Sequence, residues 1–301
     1  MPELPDVTVY MEALSQRVIG HRLNQVLIRG PFLLRSVEPP VESVQGKIAT
    51  KVRRIGKRIG IGFENDHWLV LHLMIAGRLH WVTKAPKLNR LLLATFVFDS
   101  GYLTLTEAGT QHRASLEMAA SERDLEAMSA GGIEVLESGV KEFGQALQRE
   151  NHTLKRSLTD PRIFSGIGNA YSDEILHRAQ MSPMAMSQKL NPEEIERLHR
   201  ATQEVLKEWT DRLREEAAGG FPEKVTAFRV GMAAHGRYGL PCPRCGSPIR
   251  RIRYSANETN YCPRCQTNGK LLADRALSRL LREDWPKTED ELELRIQNKW
   301  S

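Results

Sequence analysis

The chain has 301 residues, with 43 Lys and Arg against 37 Asp and Glu, a formal charge of +6 and a pI near 9.2. This length supports two or three domains with their own cores, and the basic balance favours a polyanionic partner. No run of about 18 apolar residues is present, and the N-terminus lacks the basic and apolar regions of a signal peptide, so neither membrane spanning nor secretion is expected.

The first segment, "MPELPDV", places Pro2 where removal of Met1 would make its nitrogen the free amine of the chain, beside Glu3. Such an amine can act as a nucleophile. The plainer reading is that the proline only marks where Met is removed. Residues 5–19 then read as a helix, with Pro5 at a first helical position, Asp6 at the positive end of the dipole and Gly20 as the stop; Val7, Met11, Leu14 and Val18 share a core-facing side.

From about 21 to 106, β-rich runs such as "RLNQVLIRG", "HWLVLHLMIAG" and "LLLATFVFDSGYLTL" alternate with turn residues, which predicts an antiparallel sandwich or barrel. Within it, "GKIATKVRRIGKRIGIG" carries six basic residues and no acidic one between Gly46 and Gly62. Edge strands use lysines to block aggregation, but six to zero exceeds that need and fits a strand whose outer face meets an anion.

Residues 107–150 read as the loop "EAGTQHRAS" followed by short helical patterns, with 131–150 as a hinge. From 151 the chain turns helical, including the long amphipathic run "NPEEIERLHRATQEVLKEWTDRLREE" opened by an N-cap Asn and a first-position Pro. "AAGGFPEKVTA" reads as a mobile surface loop. In "FSGIGNAYSDEILHRA", Gly166, Gly168 and Asn169 precede a helix, an arrangement that lets backbone N–H groups approach phosphate, although an ordinary helix connection would look alike.

Cys242, Cys245, Cys262 and Cys265 form C-x2-C, sixteen residues, C-x2-C, the pattern of a closed zinc site with one structural Zn2+. A redox role for the two pairs is the weaker reading, because no thioredoxin-like βαβ context accompanies them. Arg250, Arg251 and Arg253 lie between the knuckles without an acid until Glu258, as suits a hairpin meeting phosphate. A tail after Cys265 has leucine spacing for one or two more helices.

Taken in order, "PELPDV", the Lys57 strand, "HLMIAGRL", "LKRSLTDPRIFSGIGNAYSDE", "HGRYGLPCPRCG" and "NYCPRCQ" resemble the formamidopyrimidine-DNA glycosylase and endonuclease VIII family of base-excision repair enzymes over roughly residues 1–265. The resemblance implies an α+β multidomain fold. Its parts are an N-terminal catalytic β-sandwich with a leading helix (1–130), a hinge (131–150), a helix–two-turn–helix DNA-binding domain (151–235), a zinc ribbon (236–270) and a C-terminal extension (271–301). It implies damaged duplex DNA as partner with the target nucleotide extruded, no membrane, and a monomer that is cytoplasmic or nucleoid-associated in a bacterium and otherwise intracellular.

By the same resemblance Pro2 is the nucleophile, Glu3 the acid that serves the sugar ring oxygen, and Lys57 the cation beside the lesion phosphate. Lys155 and Asn169 match phosphate-binding positions, and Asp6 and Glu174 match acids that orient the N-terminus. Met74 and Ile75 stand where the family has its damage-gap wedge, and Arg113 beside Ala114 where it has Arg and Phe. Asn257 replaces a phosphate-clamping Arg, Thr259 matches, and Arg251 and Arg253 are substitutes for the missing charge. The function implied is a bifunctional glycosylase and apurinic/apyrimidinic lyase for oxidised bases. A damage-specific DNA-binding protein with little base excision is the alternative that the altered wedge raises.

Overall fold

The computed structural model describes all residues except 109–110, 224, 255–256, 274–277, 279, 281–283 and 299–301. The chain divides into two compact units, residues 1–131 with 207–227, and residues 132–206 with 228–301.

The first unit begins with helix α1 (Leu4–Val18), whose start is fixed by a reciprocal capping box between Glu3 and Asp6 and whose Val7, Tyr10, Leu14 and Val18 are fully buried. Eight antiparallel strands follow: β1 (Arg22–Ile28), β2 (Lys47–Ile55), β3 (Arg58–Phe63), β4 (Trp68–His72), β5 (Gly77–Val82), β6 (Leu92–Phe98), β7 (Gly101–Glu107) and β8 (Ser115–Ala119). Their order is β5-β7-β6-β1-β2-β3-β4-β8. The two four-stranded halves join at the short β1–β2 pairing of Arg22 with Ile48 and Leu23 with Lys47. Phe96, Leu103 and Leu79 from one half and Ile59, Ile61 and Leu71 from the other share one core with α1, the sandwich packing that alternating strands require.

Three details differ from the sequence expectation. The 107–150 segment contributes strand β8, whose Leu116 and Met118 face the core, before helix α2 (Glu122–Ala127) covers Trp68 and Val70 on the other side. "AAGGFPEKVTA" is anchored rather than mobile: Phe221 and Val225 enter the sandwich core, and the Phe221 ring lies 5.6 Å from that of Tyr10. Apolar side chains inside a Gly- and Pro-rich run outweighed its composition. Lys57 is not within a strand. Ile55 pairs with Arg58, so Gly56 and Lys57 form the two-residue hairpin turn, and Gly56 takes the left-handed corner at φ +61°.

The second unit contains α3 (Val140–Gln148), α4 (Leu154–Thr159), α5 (Asn169–Ala179), the hairpin β9 (Arg250–Tyr254) and β10 (Asn257–Tyr261), α7 (Pro263–Thr267) and α8 (Glu289–Asn298). The long helix α6 (Pro192–Ala217) runs through the boundary at 206–207. Its start is a capping box, Glu194 N–H to Asn191 Oδ1 at 2.9 Å and Asn191 N–H to Glu194 Oε2 at 3.0 Å. Within residues 131–150, expected as a hinge, Ile133 bridges Phe164, the rings of Phe143 and Phe164 stack at 4.6 Å, and Leu147 is fully buried. Of the one or two helices expected in the tail, α8 is described, and residues 274–277, 279 and 281–283 lie outside the described residues.

Candidate active site

The capping box places two carboxylates at the start of α1. Glu3 N–H donates to Asp6 Oδ2 at 2.9 Å, and the Asp6 N–H turns back to the Glu3 side chain. Glu3 is 3% exposed, and Pro2 is buried with it. The amine at the chain start, which here belongs to Met1, lies close enough to Glu3, Arg78, Asp6 and Lys57 to feel their charges. Its pKa is pushed below the ordinary α-amino value, first by burial, with Arg78 and Lys57 adding to the effect and Glu3 and Asp6 opposing it. Burial likewise lowers the Lys57 pKa, against the pull of Glu3.

Two members of this cluster had not been singled out from the sequence. His72 pairs across the sheet with Arg58, and burial followed by Arg58 and Lys57 lowers its pKa to about 4, so the ring is neutral near pH 7. Arg78 stands after the turn that carries Met74 and Ile75, and donates to the Ile75 carbonyl at 3.1 Å. Cross-strand register, which a sequence motif does not print, puts His72 near Lys57, and Arg78 joins the cluster through its charge on the chain-start amine.

The turn itself is tight. Gly77 N–H donates to Leu73 O at 2.8 Å, and a Cβ on Gly77 would fall 2.3 Å from that oxygen, so only glycine fits. Met74 takes a left-handed φ of +50°, and Ile75 is left 61% exposed at the tip. A second loop is held by Glu107, a residue the sequence reading passed over. This acid is 1% exposed and accepts the N–H groups of Arg113 (3.0 and 3.1 Å) and Ala114 (3.2 and 3.4 Å). The Arg113 side chain is thereby presented to solvent, whereas Ala114 is buried and offers no wedge.

In the second unit the turn before α5 is tied to the hairpin. Asn169 Nδ2 donates to the Glu258 carbonyl at 2.9 Å. Lys155, at a position expected to bind phosphate, is 9% exposed, and its Nζ donates to Asn169 O at 2.7 Å and to Asp173, which also accepts from His235 Nδ1 at 2.8 Å. Glu174, expected to orient the N-terminus, has both oxygens committed to the N–H groups of Ala233, Ala234 and His235 at 2.7 to 2.9 Å. A carboxylate in a mostly apolar environment takes the nearest unpaired donors, and these are backbone groups in its own unit.

On the hairpin, Asn257 and Arg253 are exposed, and Thr259 is 2% exposed and faces inward. Arg251 lies 4.0 Å over the Tyr238 ring and 3.3 Å from Glu258. Arg250, by contrast, is bound to Glu289. The sulfurs of Cys242, Cys245, Cys262 and Cys265 all lie within 4.8 Å of one another, including 3.9 Å between Cys242 and Cys265 and 3.4 Å between Cys245 and Cys262. Four thiolates about 2.3 Å from a tetrahedral ion would be roughly 3.8 Å apart, so the set fits one structural zinc. Four sulfurs and no open position leave that ion a structural part.

Three family models match in chain order: the formamidopyrimidine-DNA glycosylase N-terminal domain over residues 1–111, the H2TH domain of the same glycosylase over 132–214, and the zinc finger found in FPG and IleRS over 239–268. Formamidopyrimidine-DNA glycosylase of Desulfitobacterium hafniense is 30% identical over 280 residues, covering 88% of this chain and 100% of the relative.

The chain belongs to the formamidopyrimidine-DNA glycosylase family.

An uncharacterized formamidopyrimidine-DNA glycosylase-like protein of Mycobacterium tuberculosis is 40% identical over 151 residues, covering 50% of this chain and 94% of that protein. The crystal structure of MutM (Fpg) from Thermus thermophilus superposes with a TM-score of 0.75 at 30% identity, over 88% of this chain and 98% of its own. Lactococcus lactis Fpg, in a complex with DNA containing an oxidised pyrimidine, has the same fold, with a TM-score of 0.78 at 24% identity, covering 88% and 100%. Beyond the part matched by the family's zinc finger, described residues of the tail are held to one another and to the hairpin: Lys270 bridges Thr288, Leu271 N–H donates to Lys287 O at 2.8 Å, and Leu272 N–H donates to the Tyr261 hydroxyl at 2.8 Å. Among the described residues no helix is long and apolar enough to cross a membrane.

Proposed function

We propose that this protein is a bifunctional DNA glycosylase and apurinic/apyrimidinic lyase that excises oxidised bases from duplex DNA through an N-terminal proline Schiff base. The observation that carries the reading is the buried chain start, with its lowered amine pKa, set among Glu3, Asp6, Lys57 and Arg78. Removal of Met1 moves the free amine one residue along, to the buried Pro2. A depressed amine pKa gives a larger neutral, nucleophilic fraction near pH 7.

In this mechanism the Pro2 nitrogen forms a bond to C1′ as the bond from C1′ to the base breaks, and the proton that the nitrogen sheds is passed to the departing base. Glu3 delivers a proton to the sugar ring oxygen, the ring opens, and the nitrogen is left as an iminium cation. That cation withdraws electrons from C2′. The Glu3 carboxylate, having given up its proton, takes one from C2′, which expels the 3′-phosphate in β-elimination, and water hydrolyses the iminium to release Pro2 and the unsaturated sugar aldehyde. Lys57, with the neutral His72 beside it, holds the phosphate next to the lesion. Ile75 and Met74 occupy the gap left by the extruded nucleotide, with Arg113 supplied to the same gap. Asn169, Arg251, Arg253 and Asn257 serve the DNA backbone, and the buried Thr259 supports the hairpin that carries three of them. Lys155 serves it indirectly, by fixing the turn of Asn169, and the zinc keeps the hairpin folded. Asp6 acts on the Glu3 backbone, and Glu174 fixes the segment at 233–235.

The test is borohydride reduction of the full chain, with Met1 removal verified by intact mass, in the presence of abasic-site DNA. A covalent product that disappears in Glu3→Gln and in a form retaining a residue ahead of Pro2 supports the reading; no product overturns it. A panel of duplexes with oxidised purines and pyrimidines then assigns the base. The second reading, DNA binding with little excision, draws on Ala114, which is buried where an aromatic wedge would stand, and on the uncharged Asn257. It predicts tight, salt-dependent binding to gapped DNA without single-turnover cleavage.

A further inference from the structure

A cavity of about 200 Å³ opens in the first unit between the end of β1, the start of β6 and the segment after β7. Leu33 and Ala114, both 2% exposed, belong to its apolar floor, and Arg29, Arg90, His112 and Phe32 line its mouth. Phe32 is 68% exposed, a large aromatic ring left in water. Among the described residues neither the Arg29 nor the Arg90 guanidinium is held in an ion pair. The nearby acid, Glu107, is buried and spends its oxygens on the Arg113 and Ala114 N–H groups, with His112 Nδ1 3.5 Å away.

The walls are built by the backbone. Arg29 and Gly30 both donate to Leu93 O, at 2.8 and 3.1 Å, and Leu33 N–H returns to Gly30 O at 3.0 Å. An apolar floor and an exposed ring call for a flat, weakly polar group, and two guanidiniums call for an anion attached to it. Inorganic phosphate would leave the floor and Phe32 uncovered; an uncharged aromatic would leave both arginines unused. A nucleotide satisfies both demands.

We propose that this cavity is a nucleotide subsite, separate from the Lys57 cluster, in which a base lies against Phe32 and its phosphate is taken by Arg29 and Arg90. The reading of the chain as a DNA-acting enzyme bears only on where the nucleotide comes from: the bound strand, or the free pool.

Photo-cross-linking of the full chain tests this. One arm uses 5-iodo-2′-deoxyuridine 5′-monophosphate. The other places the same base at successive positions in each strand of an abasic duplex. Peptide mapping is expected to find the adduct within residues 29–33. An adduct with the free nucleotide as well as the duplex makes the site open to both sources; an adduct with the duplex alone makes the strand its occupant. The double variant Arg29→Ala/Arg90→Ala, checked for an unchanged thermal midpoint, is expected to raise the half-saturating concentration at least about tenfold, and Phe32→Leu to lower the yield several-fold. No adduct at 29–33 in either arm, or half-saturation that the double variant leaves unchanged, overturns the proposal. Borohydride trapping is scored separately, so its failure removes the Schiff-base mechanism without touching the cross-link.

Discussion

His177 on α5 places its Nε2 3.2 Å from the Sγ of Cys242, a ligand of the zinc site. Burial, with help from Arg244, Arg178 and Arg237, lowers the ring pKa to about 4, so it is neutral and able to donate one N–H to the sulfur. Such outer contacts fix a ligand's orientation and its affinity for metal. His177→Phe keeps the ring and removes the donor. Zinc transfer to a colorimetric chelator is therefore expected to be on the order of tenfold faster than in the unaltered chain, with one zinc per chain before the challenge. Equal transfer rates would make the contact incidental.

Glu107 governs the loop that presents Arg113. Replacing it with Ala leaves the Arg113 and Ala114 N–H groups without their acceptor in a place where Ala114 is buried. The expected loss is about 2–3 kcal/mol of stability by denaturant unfolding, the scale of hydrogen bonds to a charged group. Affinity for abasic or gapped duplex should fall more than in Arg113→Ala, because the whole loop loses its anchor. A fall no larger than that of Arg113→Ala would show that the loop holds its shape without the acid.

His72 makes stability depend on pH in one direction. Above its ordinary value of 6.5 the ring is neutral in both the folded and unfolded chain and contributes nothing to the slope. Between 6.5 and about 4 the unfolded chain takes up the proton and the folded chain does not, so stability falls as pH falls; below about 4 this contribution levels off. Allowing for partial exposure, the loss amounts to roughly 2 kcal/mol. Denaturant titrations at steps from pH 7 to 4 should show His72→Gln with a shallower acid limb than the unaltered chain, and matching limbs would assign the slope to other groups.

The parts of the molecule that were legible in the sequence are those in which one short segment carries its own instruction. Pro5 and Asp6 announce the start of α1, Asn191 and Pro192 that of α6, and the cysteine spacing announces the zinc site. Glu107, Arg78 and His72 were missed because their meaning depends on partners set by strand register or loop closure. Lys155 and Glu174 stand at recognisable positions, yet their charged ends are held within their own unit by Asp173 and by the 233–235 backbone. A motif fixes where a residue lies along the chain; which neighbour claims its charge is decided by packing. The same holds for Phe221 and Val225, whose burial no local composition rule would predict.

The extension beyond the family's zinc finger contributes Glu289, which is held by Arg250 of β9. Arg250 Nε is 3.1 Å from both Glu289 oxygens, and the side chains are 18% and 8% exposed. This pairing removes Arg250 from the hairpin arginines that can meet phosphate. It also sets an asymmetry that mutagenesis can read. Removing one partner of a largely buried pair strands a charge and costs about 3–5 kcal/mol, whereas replacing both with apolar groups of similar volume comes close to neutral. Glu289→Ala, or truncation after residue 269, is therefore expected to destabilise the ribbon and speed zinc loss, while Arg250→Met/Glu289→Leu retains most of the stability of the unaltered chain. In a double-mutant cycle with both single variants, the coupling should exceed about 1 kcal/mol. A cycle that closes to zero would mean that the extension is carried by its backbone contacts at Leu271 and Leu272 alone.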